Sequence, residues 1–136
     1  MTDVGEACHA PPCLALDIGA TKVEAALVER DGTTRARFRI SDTDQHDDLI
    51  SAIIELSRRV MSEGPVAVGG VGCAGPMSRR GEAVSPLNIP QWRAFPLWRT
   101  LSEVLGLDVF VDGDARALAL AEGAFGAALV AWRGRP

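Results

Sequence analysis

The stretch that most constrains this chain is Leu14-Ala-Leu-Asp17-Ile-Gly19-Ala-Thr21-Lys22, followed by a second apolar run from Val23 to Val28. Two apolar runs around a short polar turn read as two strands joined at that turn. Gly19 opens backbone conformations closed to other residues and lets a bulky anion approach the main chain. Successive backbone N–H groups in such a turn can cradle a phosphate. Thr21 adds a hydroxyl and Lys22 a compact positive charge. Asp17 would repel a bare phosphate, so it fits only with a divalent cation between the two. Mg²⁺ accepts carboxylate, water and phosphate oxygens together. The alternative is an ordinary β-hairpin closed by a polar turn.

The rest of the chain supplies a sheet around this unit. Asp31-Gly32 signals a turn after Val28, so a third strand over Thr33 to Ile40 folds back antiparallel. It alternates Ala36, Phe38 and Ile40 with Arg35, Arg37 and Arg39, the pattern of an edge strand with a solvated basic face. After a polar segment able to cap a helix, Leu49, Ile53, Leu56 and Val60 form one helical stripe, and Gly64-Pro65 ends it. Val66 to Val71 reads as a buried strand. It runs into Gly69-Gly-Val-Gly72-Cys-Ala-Gly75-Pro76, either a loop where a ligand meets backbone closely or a plain turn-rich connection.

Met77 to Ala94 is long and irregular, as functional loops often are. It contains Ser85-Pro-Leu-Asn88-Ile-Pro-Gln-Trp92. Trp92, Phe95 and Trp98 are expected to anchor in the core. Pro96 opens a helix with Leu97, Leu101, Val104 and Leu105 at helical spacing, and Gly106 closes it. Asp108 to Val111 is a short strand, followed by Asp112-Gly113-Asp114 and an alanine-rich helix from Ala115 to Ala128. The order β-β-β-α-β-α-β-α predicts an α/β fold, a mixed sheet of about five strands with helices packed on it. Ligands of such sheets collect at the carboxyl ends of the strands. The clusters at Asp17, at Gly72 to Gly75 and at Asp112 to Asp114 fall there or at the adjoining turn.

Composition narrows the function. A net charge of −4 argues against nucleic acid or an anionic membrane surface as partner, and the arginine face of the third strand does not outweigh it. No apolar run approaches the roughly 20 residues of a membrane helix. The first twelve residues have neither the basic start nor the apolar core of a secretory signal, which predicts a cytoplasmic protein. Three cysteines fit a reducing compartment. Cys8, His9 and Cys13 are too few for a closed zinc site, so no zinc site is expected. Residues 1–13 read as a flexible tail, residues 14–128 as the folded unit and residues 129–136 as an atypical tail. Cys73, in an apolar run, is expected to be a small buried hydrophobe.

The stretch from Leu14 to Lys22, Val71-Gly72-Cys-Ala-Gly75-Pro76, Asn88-Ile-Pro-Gln-Trp92 and Val-Asp112-Gly-Asp114-Ala-Arg-Ala-Leu-Ala-Leu-Ala-Glu122-Gly resemble, in that order, the ROK family (repressor, ORF, kinase). The family comprises sugar kinases, many of them bacterial glucokinases, and sugar-sensing repressors. The resemblance covers residues 13–128 but only the N-terminal half of such a protein. It implies the N-terminal lobe of the actin-like, ribonuclease-H-like ATPase architecture, and ATP-dependent phosphorylation of a hexose at its 6-hydroxyl. By resemblance, Asp17, Gly19, Thr21 and Lys22 face the ATP phosphates, with Mg²⁺ on Asp17 through water. Gly72, Gly75, Asn88 and Gly113 border the sugar. Asp114 matches the catalytic base that takes the proton of the attacking hydroxyl. The other reading of Asp114 is a helix N-cap before Ala115.

Gly113 stands where many members carry an Asn that contacts the sugar. Users of polyphosphate exist among similar kinases. The second phosphate loop, further sugar contacts and the zinc site of the family do not appear, and a truncated lobe with little activity alone is expected. It would pair with a missing second lobe or form a homo-oligomer. The alternatives are a non-catalytic sugar-responsive member and a lobe that associates with a full-length partner. Repressor members carry a DNA-binding helix-turn-helix ahead of the phosphate motif, and the thirteen residues before Leu14 leave no room for one.

Overall fold

The computed structural model describes residues 12–29, 33–43, 46–78 and 82–113. Its elements are β1 (Cys13–Ile18), β2 (Lys22–Val28), β3 (Thr34–Ser41), α1 (Leu49–Met61), β4 (Val68–Cys73), α2 (Leu97–Leu105) and β5 (Asp108–Asp112). The strands form one five-stranded sheet in the order β3-β2-β1-β4-β5. β2 runs antiparallel to both β1 and β3, while β4 lies parallel to β1 and β5 parallel to β4. This is the mixed sheet expected from the sequence. The alanine-rich stretch after Asp112-Gly113, including Asp114, and both tails before Pro12 and after residue 128 lie outside the described residues.

β1 sits at the centre and is buried on both faces, which is why its sequence is a nearly unbroken apolar run. Leu14, Leu16 and Ile18 join Val23, Ala25 and Leu27 of β2 in the main core, under Leu49, Ile53, Leu56 and Val60 of α1 and Leu97 and Leu101 of α2. Cys13 and Ala15 point to the other face, with Ala26, Val28, Val68 and Phe110. Cys13 therefore belongs to the sheet rather than to the tail assigned to residues 1–13. Burial of its apolar surroundings pushes its thiol up to about 12.

β4 starts at Val68, two residues later than expected, and continues through the glycines to Cys73. Glycine is a poor strand former, but here ladders to β1 on one side and β5 on the other fix the backbone. Cys73 is fully buried in the main core. β3 is the edge strand, with Arg35, Arg37 and Arg39 exposed. Its inner face packs on α1, where the Arg59 guanidinium carbon lies 4.1 Å from the Phe38 ring centroid. Arg35 ties the strand to its surroundings through Glu29 Oε2 at 2.7 Å and the Glu63 carbonyl at 2.9 Å.

α1 is capped by Asp48, whose Oδ1 accepts from the Ser51 amide at 3.3 Å. α2 begins after Pro96 and stops at Gly106, whose φ of 68° is the left-handed conformation that glycine adopts without strain. Val104 was expected inside but is 41% exposed. Leu97, Leu101 and Leu105 fill the inward stripe, and Val104 is turned about 100° from Leu105, the angular step of one helical residue. It lines a shallow groove with Ser51, Ile54, Glu55 and Arg58. Among the described residues, no helix is long and apolar enough to cross a membrane.

Candidate functional site

The turn from Gly19 to Lys22 closes on itself, with the Gly19 amide donating to the Lys22 carbonyl at 2.9 Å. A Cβ on Gly19 would stand 3.1 Å from that oxygen, tighter than ordinary contact. The backbone of Gly19 is not in the left-handed region, so close packing, not unusual φ, accounts for the glycine. From outside, the Thr43 amide donates to the Thr21 carbonyl at 3.3 Å. Thr43 is fully buried and its hydroxyl has no hydrogen-bond partner among the described residues. The side chains of Thr21 and Lys22 are exposed.

Strand register assembles the site. Asp17 lies opposite Glu24 on β2 and Gly72 on β4, and Gly72 lies opposite Asp112 on β5. Arg39 on β3 lies opposite Glu24. Residues directly paired in a sheet share a face, so Arg39, Glu24, Asp17 and Asp112 stand in one row on the face away from α1 and α2. Gly72 contributes no side chain to the row and is buried between Asp17 and Asp112. Asp17 and Asp112 are half-buried. Asp112 Oδ1 accepts from the Gly113 amide at 2.7 Å at the end of β5. Asp17, Gly72 and Asp112, from three separate sequence clusters, thus lie in adjacent register near the carboxyl ends of β1, β4 and β5, and Gly113 follows Asp112.

Gly75 lies just past β4 and is exposed. A Cβ there would come within 3.2 Å of the Met77 amide nitrogen, so the turn is tight. Beyond it the chain is more ordered than its irregular sequence suggests. Val84 and Phe95 exchange both backbone hydrogen bonds at 2.9 Å, and the Ala94 amide donates to Ser85 Oγ at 2.7 Å. These bonds close the segment from Ser85 to Ala94 into a loop. Trp92 fills it from below, 3% exposed and stacked on Phe95 with centroids 4.5 Å apart. Arg93 donates to the carbonyls of Pro86, Ile89 and Trp92. Asn88 sits at the exposed outer turn of this loop, beside Leu87, which is 77% exposed. It is not part of the strand row.

Glu24 and Arg39 were not singled out from sequence. Glu24 stands two residues after Lys22, and the period of a strand puts the two on one face. Thr43 lacked any sequence signal, because its role is a backbone contact. Among the described residues no three His, Cys, Asp or Glu side chains form a metal cage. Asp17 and Asp112 are carboxylates, the ligand type that Mg²⁺ takes one or two of beside water and phosphate oxygens.

A mixed sheet of order 3-2-1-4-5, with a tight polar turn between its first two strands and acidic residues at the ends of β1 and β5, matches the N-terminal lobe of the actin-like fold. The ROK family profile matches residues 13–131, and the chain belongs to the ROK family. It is 27% identical over 113 residues to a glucokinase of Streptomyces coelicolor, covering 83% of this chain and 36% of that protein. It is 33% identical over 114 residues to an N-acetylmannosamine kinase of Escherichia coli, covering 80% of this chain and 38% of the relative. Its fold superposes on a ROK family glucokinase from Streptomyces griseus, solved with glucose and AMPPNP, with a TM-score of 0.71 at 26% identity. That superposition covers 85% of this chain and 38% of the other. The chain thus spans little more than a third of the length of these relatives.

Proposed function

We propose that this chain is the nucleotide-phosphate lobe of an ATP-dependent, glucokinase-like sugar kinase that phosphorylates a hexose at its 6-hydroxyl. The observation that carries the reading is the row in which strand register sets Asp17 beside Gly72 and Gly72 beside Asp112, next to the closed turn of Gly19 to Lys22. In this reading the turn's backbone amides, Thr21 and Lys22 hold the phosphates of ATP. Asp17 orients a water-bound Mg²⁺, which when present offsets the charge on the transferring phosphoryl group. Gly72, Gly75, Asn88 and Gly113 border the sugar. Asp114 accepts the proton of the attacking hydroxyl.

We further propose that the chain alone has little activity. Phosphoryl transfer consists largely of holding phosphate, metal and acceptor in line in a site closed to water, and the residues named here form one wall of such a site. Association with a second lobe or a second copy completes it. Glucose and N-acetylmannosamine are the sugars to test, since the relatives include a glucokinase and an N-acetylmannosamine kinase.

The test is a coupled ADP-release assay with either sugar and a sugar-free control, run beside Asp114→Asn and beside calorimetric titration of Mg·ATP and sugar. No turnover with retained Mg·ATP binding is the expected result. Sugar-dependent turnover that Asp114→Asn abolishes would establish the kinase and overturn the low-activity part. Absence of both turnover and binding would overturn the reading.

A further inference from the structure

Glu24 lies between two cations beside the turn. Its Oε2 is 4.0 Å from Lys22 Nζ and 4.0 Å from Arg39 Nη1. Lys22 and Glu24 share a face of β2, two residues and about 6.8 Å apart along the strand, and Arg39 reaches Glu24 from the directly paired position on β3. The other neighbour of Glu24 across the sheet is Asp17. Like charges on paired residues repel, so the two cations draw Glu24 away from Asp17.

We propose that Glu24 is a positioning residue that ties Lys22 to Arg39, and that Arg39 thereby supplies a second cation to a triphosphate held at the Gly19–Lys22 turn. This rests on the phosphate reading of that turn. The charges support it. Lys22 and Glu24 alone sum to zero, so the turn would offer an anion no net side-chain charge. Arg39 adds one positive charge, which offsets the negative charge of Asp17 in the same row. Half-exposed ion pairs at this separation add little to stability, so the consequence of the cluster lies in where it holds Lys22. Arg39 stands on the exposed edge strand with its side chain 55% exposed, and a guanidinium there can reach phosphate oxygens without losing its packing.

The test is calorimetric titration of the chain with magnesium tripolyphosphate at low salt, using wild type, Arg39→Gln, Arg39→Lys, Glu24→Gln and Gly19→Val. Circular dichroism melts confirm that each variant is folded. One charge a few ångströms from a phosphate in a solvated site changes affinity about two- to fivefold. Arg39→Gln is expected to weaken binding by about that factor and to flatten its salt dependence. Arg39→Lys should restore wild-type binding to within about twofold, because charge is kept. Glu24→Gln should weaken it, because Lys22 and Arg39 are then no longer held together. Binding unchanged in Arg39→Gln, or unchanged or tightened in Glu24→Gln, would overturn the inference while the turn reading stood, provided Gly19→Val abolished binding. Binding untouched by Gly19→Val, or none in wild type, would overturn the turn reading and the inference with it.

Discussion

Replacing Trp92 by Ala tests whether the loop carrying Asn88 is a packed unit or a loose connection. Trp92 is 3% exposed and lies nearly parallel to Phe95, with 5° between the ring planes. Truncating a buried Trp costs about 3–5 kcal/mol from lost burial and the cavity left behind. The stacked ring contributes about 0.5–1.5 kcal/mol of such losses beyond area. Relaxation is limited here, because the Val84–Phe95 pair and the Ala94–Ser85 bond hold the loop's two ends together. A loss of about 4 kcal/mol is therefore expected. With an m-value of about 2 kcal/mol/M in urea, the midpoint should fall by about 2 M. The assay is urea unfolding followed by circular dichroism. Trp92→Phe serves as the control, since it keeps a ring against Phe95 and should lose less than half as much. A loss under 1 kcal/mol in Trp92→Ala, with m unchanged, would refute the packed loop.

The Cys13 thiol, held near 12 by burial, should resist a thiol reagent at pH 8 in the native state and react once urea unfolds the chain, read by peptide mass mapping. The same shift is a raised folded-state value, so its contribution to stability is complete below the ordinary thiol value of 9.0 and is lost as pH rises from there towards 12, which melts over that range will track. Gly106→Ala forces a side chain into a φ of 68° and should destabilise by about 1 kcal/mol in the same urea assay. Arg35→Ala removes the exposed Glu29 pair and the bond to the Glu63 carbonyl, and should cost no more than about 1 kcal/mol, less at high salt.

The sheet and its helices were legible because period carries them. Leu49, Ile53, Leu56 and Val60 are all buried, and the alternation in β3 marks an edge. Val104 was misassigned because four apolar residues fall at helical spacing, whereas three, Leu97, Leu101 and Leu105, suffice to cover the inward face of so short an element. The glycines of β4 looked like loop, since strand propensity does not register a ladder on both sides. The turn and the carboxyl-end clusters were visible as residue types. Their gathering at the carboxyl ends of the strands followed from the element order, but the register that sets Asp17, Gly72 and Asp112 in one row did not, because it depends on the pairing of strands far apart in sequence. Glu24 and Arg39 escaped notice for the same reason. Asp114 lies outside the described residues.

The most direct test of the central claim is a titration of the ¹⁵N-labelled chain with Mg·ATP, followed by amide chemical shifts, which detects weak binding by a single lobe. Shifts concentrated at Gly19, Ala20, Thr21 and Lys22, smaller ones at Asp17 and Gly72, and their loss in Gly19→Val are the result this account predicts. An unperturbed turn at saturating nucleotide, or shifts centred on the groove beside Val104, would contradict it.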